Sequence, residues 1–197
     1  MELRSDIILH GGIWRKNIDG YVGTFFSTQW ELFKLCMSIG ILYDHRMDDS
    51  ELKNDEDSDT SEGQMTIPRT MFNRYAREAS YFFKTAILTT NTVELSESDR
   101  LFLSFSEDIK EEEMEGEDPE IIYRGVSEEA KQFDKIAFLK TFANYGAVKL
   151  GECLSNNANE TMDNLITFLG DSFEGKTEEL IQMGEVNDLE DLEALDE

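Results

Sequence analysis

FDKIAFLKTFANYGAVKLGECL, residues 133–154, decides the fold class of this chain. Phe133, Ile136, Ala137, Lys140, Asn144, Ala147, Val148 and Gly151 step by three or four, the period of a helix. A glycine inside a helix costs about 1 kcal/mol relative to alanine, so Gly146 and Gly151 need a physical reason. Close approach by another helix or loop supplies one, because a missing side chain lets two backbones come nearer. Asn144 and Tyr145 add polar atoms that need partners when buried. None of these groups is a usual acid, base or nucleophile at neutral pH. The stretch therefore reads as a packing surface, and Asn144, Tyr145, Gly146 and Gly151 become candidate partner-binding residues.

Upstream, STQWELFKLCMSIGIL shows the same period: Trp30, Phe33, Met37 and Ile41 share a face, with Leu32, Cys36 and Ile39 beside them. A helix apolar around so much of its circumference is buried. Thr28 and Glu31 fit a capping box at its start, and Gly40 lies near its end. Pro68 opens a second helical run, PRTMFNRYAREASYFFKTAIL, in which Phe72, Tyr75, Ala79, Phe82 and Ala86 form a stripe. Arg69, Arg74, Arg77 and Lys84 make this the most basic segment. Ser96 or Ser98 caps a short helix, and Ser127 caps the long helix that holds the opening stretch. NETMDNLITFL predicts a further helix with Met162, Leu165, Ile166 and Leu169 inward.

The expected fold class is all-α, a compact bundle of five to six helices. Residues 1–27, rich in glycine and aromatics, read as short strands or an irregular N-terminal cap. Residues 28–170 form the helical domain, with acidic mobile loops at 44–66 and 107–119. Residues 171–197 form an acidic tail, in which TEELIQM adds a turn or two of helix, and Leu189, Leu192 and Leu195 recur every third position, either as a docking stripe for a partner or as a frayed end.

The net charge is −25, unevenly spread. Residues 44–62, 107–120 and 185–197 together carry 25 acids and 3 bases, which leaves the other 151 residues at −3. That distribution argues against direct duplex DNA binding, which needs clustered Lys and Arg. The acidic tracts are either solvated loops that keep the chain soluble or a mimic of a phosphate backbone that occupies a basic groove. No run reaches the roughly 18 apolar residues of a membrane span, and the start does not resemble a signal peptide. Cys36 and Cys153 sit in apolar helical patterns and read as buried free thiols of a cytoplasmic protein.

Catalytic signatures fit poorly. Asp55, Asp57 and Asp59 match the first, third and fifth positions of a calcium loop, but the sixth is Thr60 rather than glycine and the twelfth is Thr66 rather than glutamate. His10 and His45 are the only histidines, and no zinc-ligand spacing occurs. Asp118, Glu129 and Lys131 loosely imitate a metal-dependent nuclease, yet Glu129 and Lys131 fall in a first helical turn, where they read as a favourable charge pattern. No catalytic residue, metal or cofactor is assigned.

The order of segments resembles a known family. A GTFFST lead-in precedes ELFKLCMSIG, a polar loop leads to IPRTMF, SESDRLFLSFSED stands in the middle, and IAFLKTFANYGAVKLGECL closes the core. This is similar to the Dnd system-associated protein 4 family, small helical proteins encoded beside DNA phosphorothioation systems. There the first helix ends in a small-residue-plus-glycine signature and the last carries a Phe-x-x-Tyr-Ala-x-x-Gly-like motif. The corresponding residues here are Phe142, Asn144, Tyr145 and Gly146, with the order changed to Ala-Asn-Tyr-Gly. The resemblance covers roughly residues 15–155. It implies a bacterial cytosolic accessory of an anti-phage defence system that modifies or restricts DNA, working through a protein partner, with no catalytic residues to carry over. Two other functions remain open: an acidic nucleic-acid mimic or inhibitor, and a metal-dependent nuclease.

Overall fold

Helices dominate a computed structural model of the chain, which describes residues 3–52, 63–106 and 125–182; the side chains of 173, 174 and 176–182 fall outside that description. Residues 1–151 and 152–197 are two compact units. Among the described residues of the first are β1 (Ile7–His10), α1 (Gly12–Tyr21), α2 (Gln29–Leu42), α3 (Asp49–Leu52), β2 (Gln64–Ile67), α4 (Arg69–Arg74), α5 (Ala76–Thr89), α6 (Glu97–Phe105) and α7 (Glu128–Lys131). Helix α8 (Lys135–Cys153) runs to the boundary, and α9 (Ala158–Gln182) belongs to the second unit.

The fold is thus mainly helical but not purely all-α, and its nine described helices exceed the expected five to six. A two-stranded antiparallel sheet pairs Ile7 with Ile67 and His10 with Gln64. Ile7, Leu9, Met65 and Ile67 alternate inward, as period-two strands require. Gly11, at φ 120°, turns the chain from β1 into α1, and its N–H donates to the Gly63 carbonyl at 2.9 Å.

Several boundaries also differ from expectation. Residues 1–27 are not an irregular cap: they hold β1, one of the short strands expected as the alternative there, and helix α1, which was not expected. The run from Pro68 breaks at Tyr75 into α4 and α5, and the inward aromatic of α5 is Phe83 rather than Phe82. Ser127 caps only α7, its hydroxyl accepting from the Ala130 N–H at 3.1 Å. Helix α8 starts afresh, with the Asp134 carboxylate accepting from the N–H groups of Ile136 and Ala137. Within 44–66, α3 and β2 replace part of the expected loop. Helix α9 continues unbroken through 171–182, where the expectation was an acidic tail with only a turn or two of helix at TEELIQM. Its Leu165 is buried as expected, whereas Met162 and Ile166, expected inward, are 38% and 61% exposed. Residues 53–62, 107–124 and 183–197 lie outside the described residues, and with them most of the acidic tracts.

The core of the first unit is built on α2, α5 and α8. The predicted capping box is present: the Thr28 hydroxyl accepts from the Glu31 N–H, while the Glu31 carboxylate accepts from the Thr28 N–H. Trp30, Phe33, Cys36 and Met37 are fully buried on α2. Phe83 of α5 packs edge-on to Phe138 of α8, which meets Phe142 in the same way. Trp30 stacks on Tyr75 and meets Phe72 edge-on.

Candidate functional site

Helices α2 and α8 approach through two reciprocal notches. A Cβ added at Gly146 would overlap the Cys36 carbonyl, and one added at Gly40 would overlap the Phe142 carbonyl. The pairs 40–142 and 36–146 run in opposite directions along the two helices, so the crossing is antiparallel with one glycine on each side. Gly151 faces the flexible end of Ile13. The close approach that these glycines imply is therefore made inside the chain, and Gly146 and Gly151 are buried.

Asn144, fully buried, is the hub of a polar network. Its Oδ1 accepts from Trp14 Nε1 at 3.1 Å, and its Nδ2 donates to the Met47 carbonyl at 3.1 Å and to Asp49 Oδ1 at 3.0 Å. Lys140, one turn earlier on α8, donates to Asp49 Oδ2. Burial pushes the Asp49 carboxyl up. Hydrogen bonds from Lys140 and Asn144, with the charges of Lys140 and His10, outweigh that and hold it below its ordinary range. Asp49 is an anion here with both oxygens engaged. The cluster joins α1, the 47–49 segment and α8 by mutual satisfaction rather than presenting a free acid or base.

Two further buried contacts extend the network along α1. Asn17 Nδ2 donates to the Ala147 carbonyl at 2.7 Å, and Tyr21 Oη donates to the Leu150 carbonyl at 2.8 Å. Trp14, Asn17 and Tyr21 thus meet α8 at 144, 147 and 150, turn by turn. Apolar periodicity gives no sign of this ladder, because its middle member is an asparagine.

Tyr145 points elsewhere and is half-buried. Its ring lies 4.3 Å from the His45 ring and 6.0 Å from that of Tyr43, with Lys149 Nζ 5.9 Å from its centre. Of the four candidate residues on α8, Tyr145 alone keeps partial access to solvent. Leu189, Leu192 and Leu195 lie outside the described residues. So do Asp118 and the aspartates of the calcium-like string, while Lys131 pairs with Glu128 at 2.7 Å. Cys36 and Cys153 are buried thiols that form no disulfide, and burial drives the Cys36 thiol well above its ordinary value.

An open groove of about 290 Å³ lies between α2 and α5, lined by Ser38, Ile41, Tyr81, Phe82 and Thr85. Its lining is mostly apolar and Tyr81 is 54% exposed. Arg77 stands over the Tyr81 ring, and its Nε donates to the phenol oxygen at 3.2 Å. The Lys34–Glu78 ion pair, 3.0 Å long, bridges the same two helices. No helix among the described residues is long and apolar enough to cross a membrane. No protein-family model, curated protein or solved structure matches the chain.

Proposed function

We propose that this chain is a non-enzymatic accessory or regulatory protein that acts through protein–protein contacts. On the resemblance of its motif residues, its setting is a bacterial anti-phage defence complex of the DNA modification or restriction type. The observation that carries the reading is a contrast between two surfaces. The polar groups gathered around Asn144 satisfy one another, as structural groups do. The α2–α5 groove is open, mainly apolar and lined in part by Tyr81 and Phe82, which suits an apolar anchor of a partner.

The test is co-purification of the tagged chain with the proteins encoded beside it, at low and at moderate salt. A partner retained at moderate salt and lost on Ile41→Asp or Tyr81→Asp is the expected result. A chain that stays alone, or a partner indifferent to both substitutions, refutes the groove reading. A basic DNA-handling partner that leaves as salt rises supports the mimic instead.

A further inference from the structure

We propose that the α2–α5 groove takes a partner segment that sets a carboxylate beside its apolar anchor, with Arg77 and Tyr81 as the donors to that carboxylate. The inference rests on the protein-contact reading and names the chemistry of the partner.

Arg77, Tyr81, Thr85 and Leu88 step by four, four and three along α5, which puts them on one face, and all four are exposed. Tyr81 and Thr85 also line the groove, together with Ser38 and Ile41 of α2. Arg77 therefore stands one turn away, at the rim. Its guanidinium is held there: Cζ lies 5.7 Å from the centre of the Tyr81 ring, and Nε donates to Tyr81 Oη at 3.2 Å. Those two contacts use the ring face and one N–H, and they leave both Nη groups to a ligand. No carboxylate among the described residues pairs with Arg77. The Tyr81 oxygen accepts from Nε, so its own proton remains to be donated. A planar fork and a phenol O–H thus lie side by side next to an apolar recess.

Charge and shape select the occupant together. Residues 69–88 carry four bases and one acid, within a chain of net charge −25. That acid, Glu78, is taken by Lys34 at 3.0 Å. A lysine or arginine of a partner would meet a like charge at Arg77. A second copy docked by the same face would bring a second Arg77 and no unpaired carboxylate. Nucleic acid suits the cation but not the apolar lining, and the net charge repels it. An Asp or Glu beside an aliphatic or aromatic residue meets both demands. The apolar side chain fills the recess of about 290 Å³, and the carboxylate matches the guanidinium fork in shape as well as in sign. The net charge of the chain favours a cationic peptide, so the groove and the whole-molecule field make opposite predictions.

The experiment pans random peptides displayed on phage against the full chain near physiological salt, where the screening length is about 8 Å. Enriched sequences are expected to hold Asp or Glu close to an apolar residue. The most enriched peptide is then labelled for anisotropy, beside forms in which its acids become amides or lysines. The acidic form is expected to bind about three- to fivefold tighter than the amide form, the worth of an exposed ion pair, and the lysine form to bind weakest. Arg77→Gln is expected to erase the margin of acid over amide. Arg77→Lys, which keeps the charge without the fork, is expected to keep part of it. Ile41→Asp is expected to abolish binding of every form. Enrichment of basic peptides, no enrichment, or a margin unmoved by Arg77→Gln overturns the proposal. So does a dimer in sedimentation that Tyr81→Asp dissociates, since the occupant is then a second copy. Acid and amide forms that bind equally, and are both lost on Ile41→Asp, sink the carboxylate proposal and leave the groove reading standing. Binding indifferent to Ile41→Asp sinks both. Circular dichroism checks the fold of each variant; where Ile41→Asp loses helix, Thr85→Asp at the exposed side of the groove takes its place.

Discussion

At Gly146 a single methyl group meets a backbone carbonyl rather than a side chain that can swing aside. Gly146→Ala and Gly40→Ala should therefore destabilise the first unit by about 1–3 kcal/mol, the usual range for overpacking, despite alanine's higher helix propensity. Gly170 on α9 has nothing within 4 Å of an added Cβ, so Gly170→Ala should stabilise by up to about 1 kcal/mol. Urea midpoints of the three variants check the contrast, and an unchanged Gly146→Ala would show that the crossing can relax. Asn144→Leu leaves Trp14 Nε1 and the Met47 carbonyl without their partner. Each buried group so stranded costs about 1–3 kcal/mol, and loss of the ordered 47–49 segment should appear as faster amide exchange there. Asp49 gives a pH test. Its carboxyl is held below the ordinary range in the folded chain, so its stabilisation is fully present above the unfolded value near pH ~4. That stabilisation fades as pH falls through the folded value. Acid unfolding of the wild type should thus be steeper below about pH 4 than that of Asp49→Asn. Parallel acid limbs for the two would remove Asp49 from the account.

Local chemistry made some elements legible in the sequence and hid others. The α2 capping box at Thr28 and Glu31, the Ser96 cap and the two buried thiols all follow from nearest-neighbour patterns, and all are present. The glycine notches of α8 were legible as a demand for close approach, but not the identity of what approaches, because the Cys36 carbonyl is over a hundred residues away. Helix α1 was hidden for a different reason. Its inward face is Trp14, Asn17 and Tyr21, and its glycines at 12 and 20 resemble turn signals. In the stripe from Phe72, the expected Phe72, Ala79 and Ala86 are buried, and only the slot given to Phe82 falls to Phe83, since the two serve the pattern equally until Phe133 and Phe138 select Phe83. The α1 ladder is open to a direct check. Tyr21→Phe leaves the ring in place and removes the donor to the Leu150 carbonyl, so it should cost about 0.5–1.5 kcal/mol. No change in the thermal midpoint would mean that water replaces the phenol there.

Across the whole molecule, charge and aromatic residues are segregated. Both tryptophans, Trp14 and Trp30, are buried in the first unit. The second unit has no tryptophan and holds fourteen of the 43 acids against one of the 18 bases. Like charges three or four apart on a helix, such as Glu160 and Asp163, repel by about 0.2–0.5 kcal/mol per pair, and salt screens that repulsion. The two units therefore have different expected responses to ionic strength, and they carry different probes. Tryptophan emission follows the first unit alone, whereas far-ultraviolet circular dichroism follows the helices of both. Raising salt from about 0.05 M to about 0.5 M shortens the screening length well below the span of α9. The dichroism midpoint of thermal unfolding should then rise by more than the fluorescence midpoint, most visibly in the fraction of helix lost at the lowest temperatures. Equal shifts in the two signals would mean that the negative face of the second unit is already relieved at low salt, and that repulsion does not set its stability.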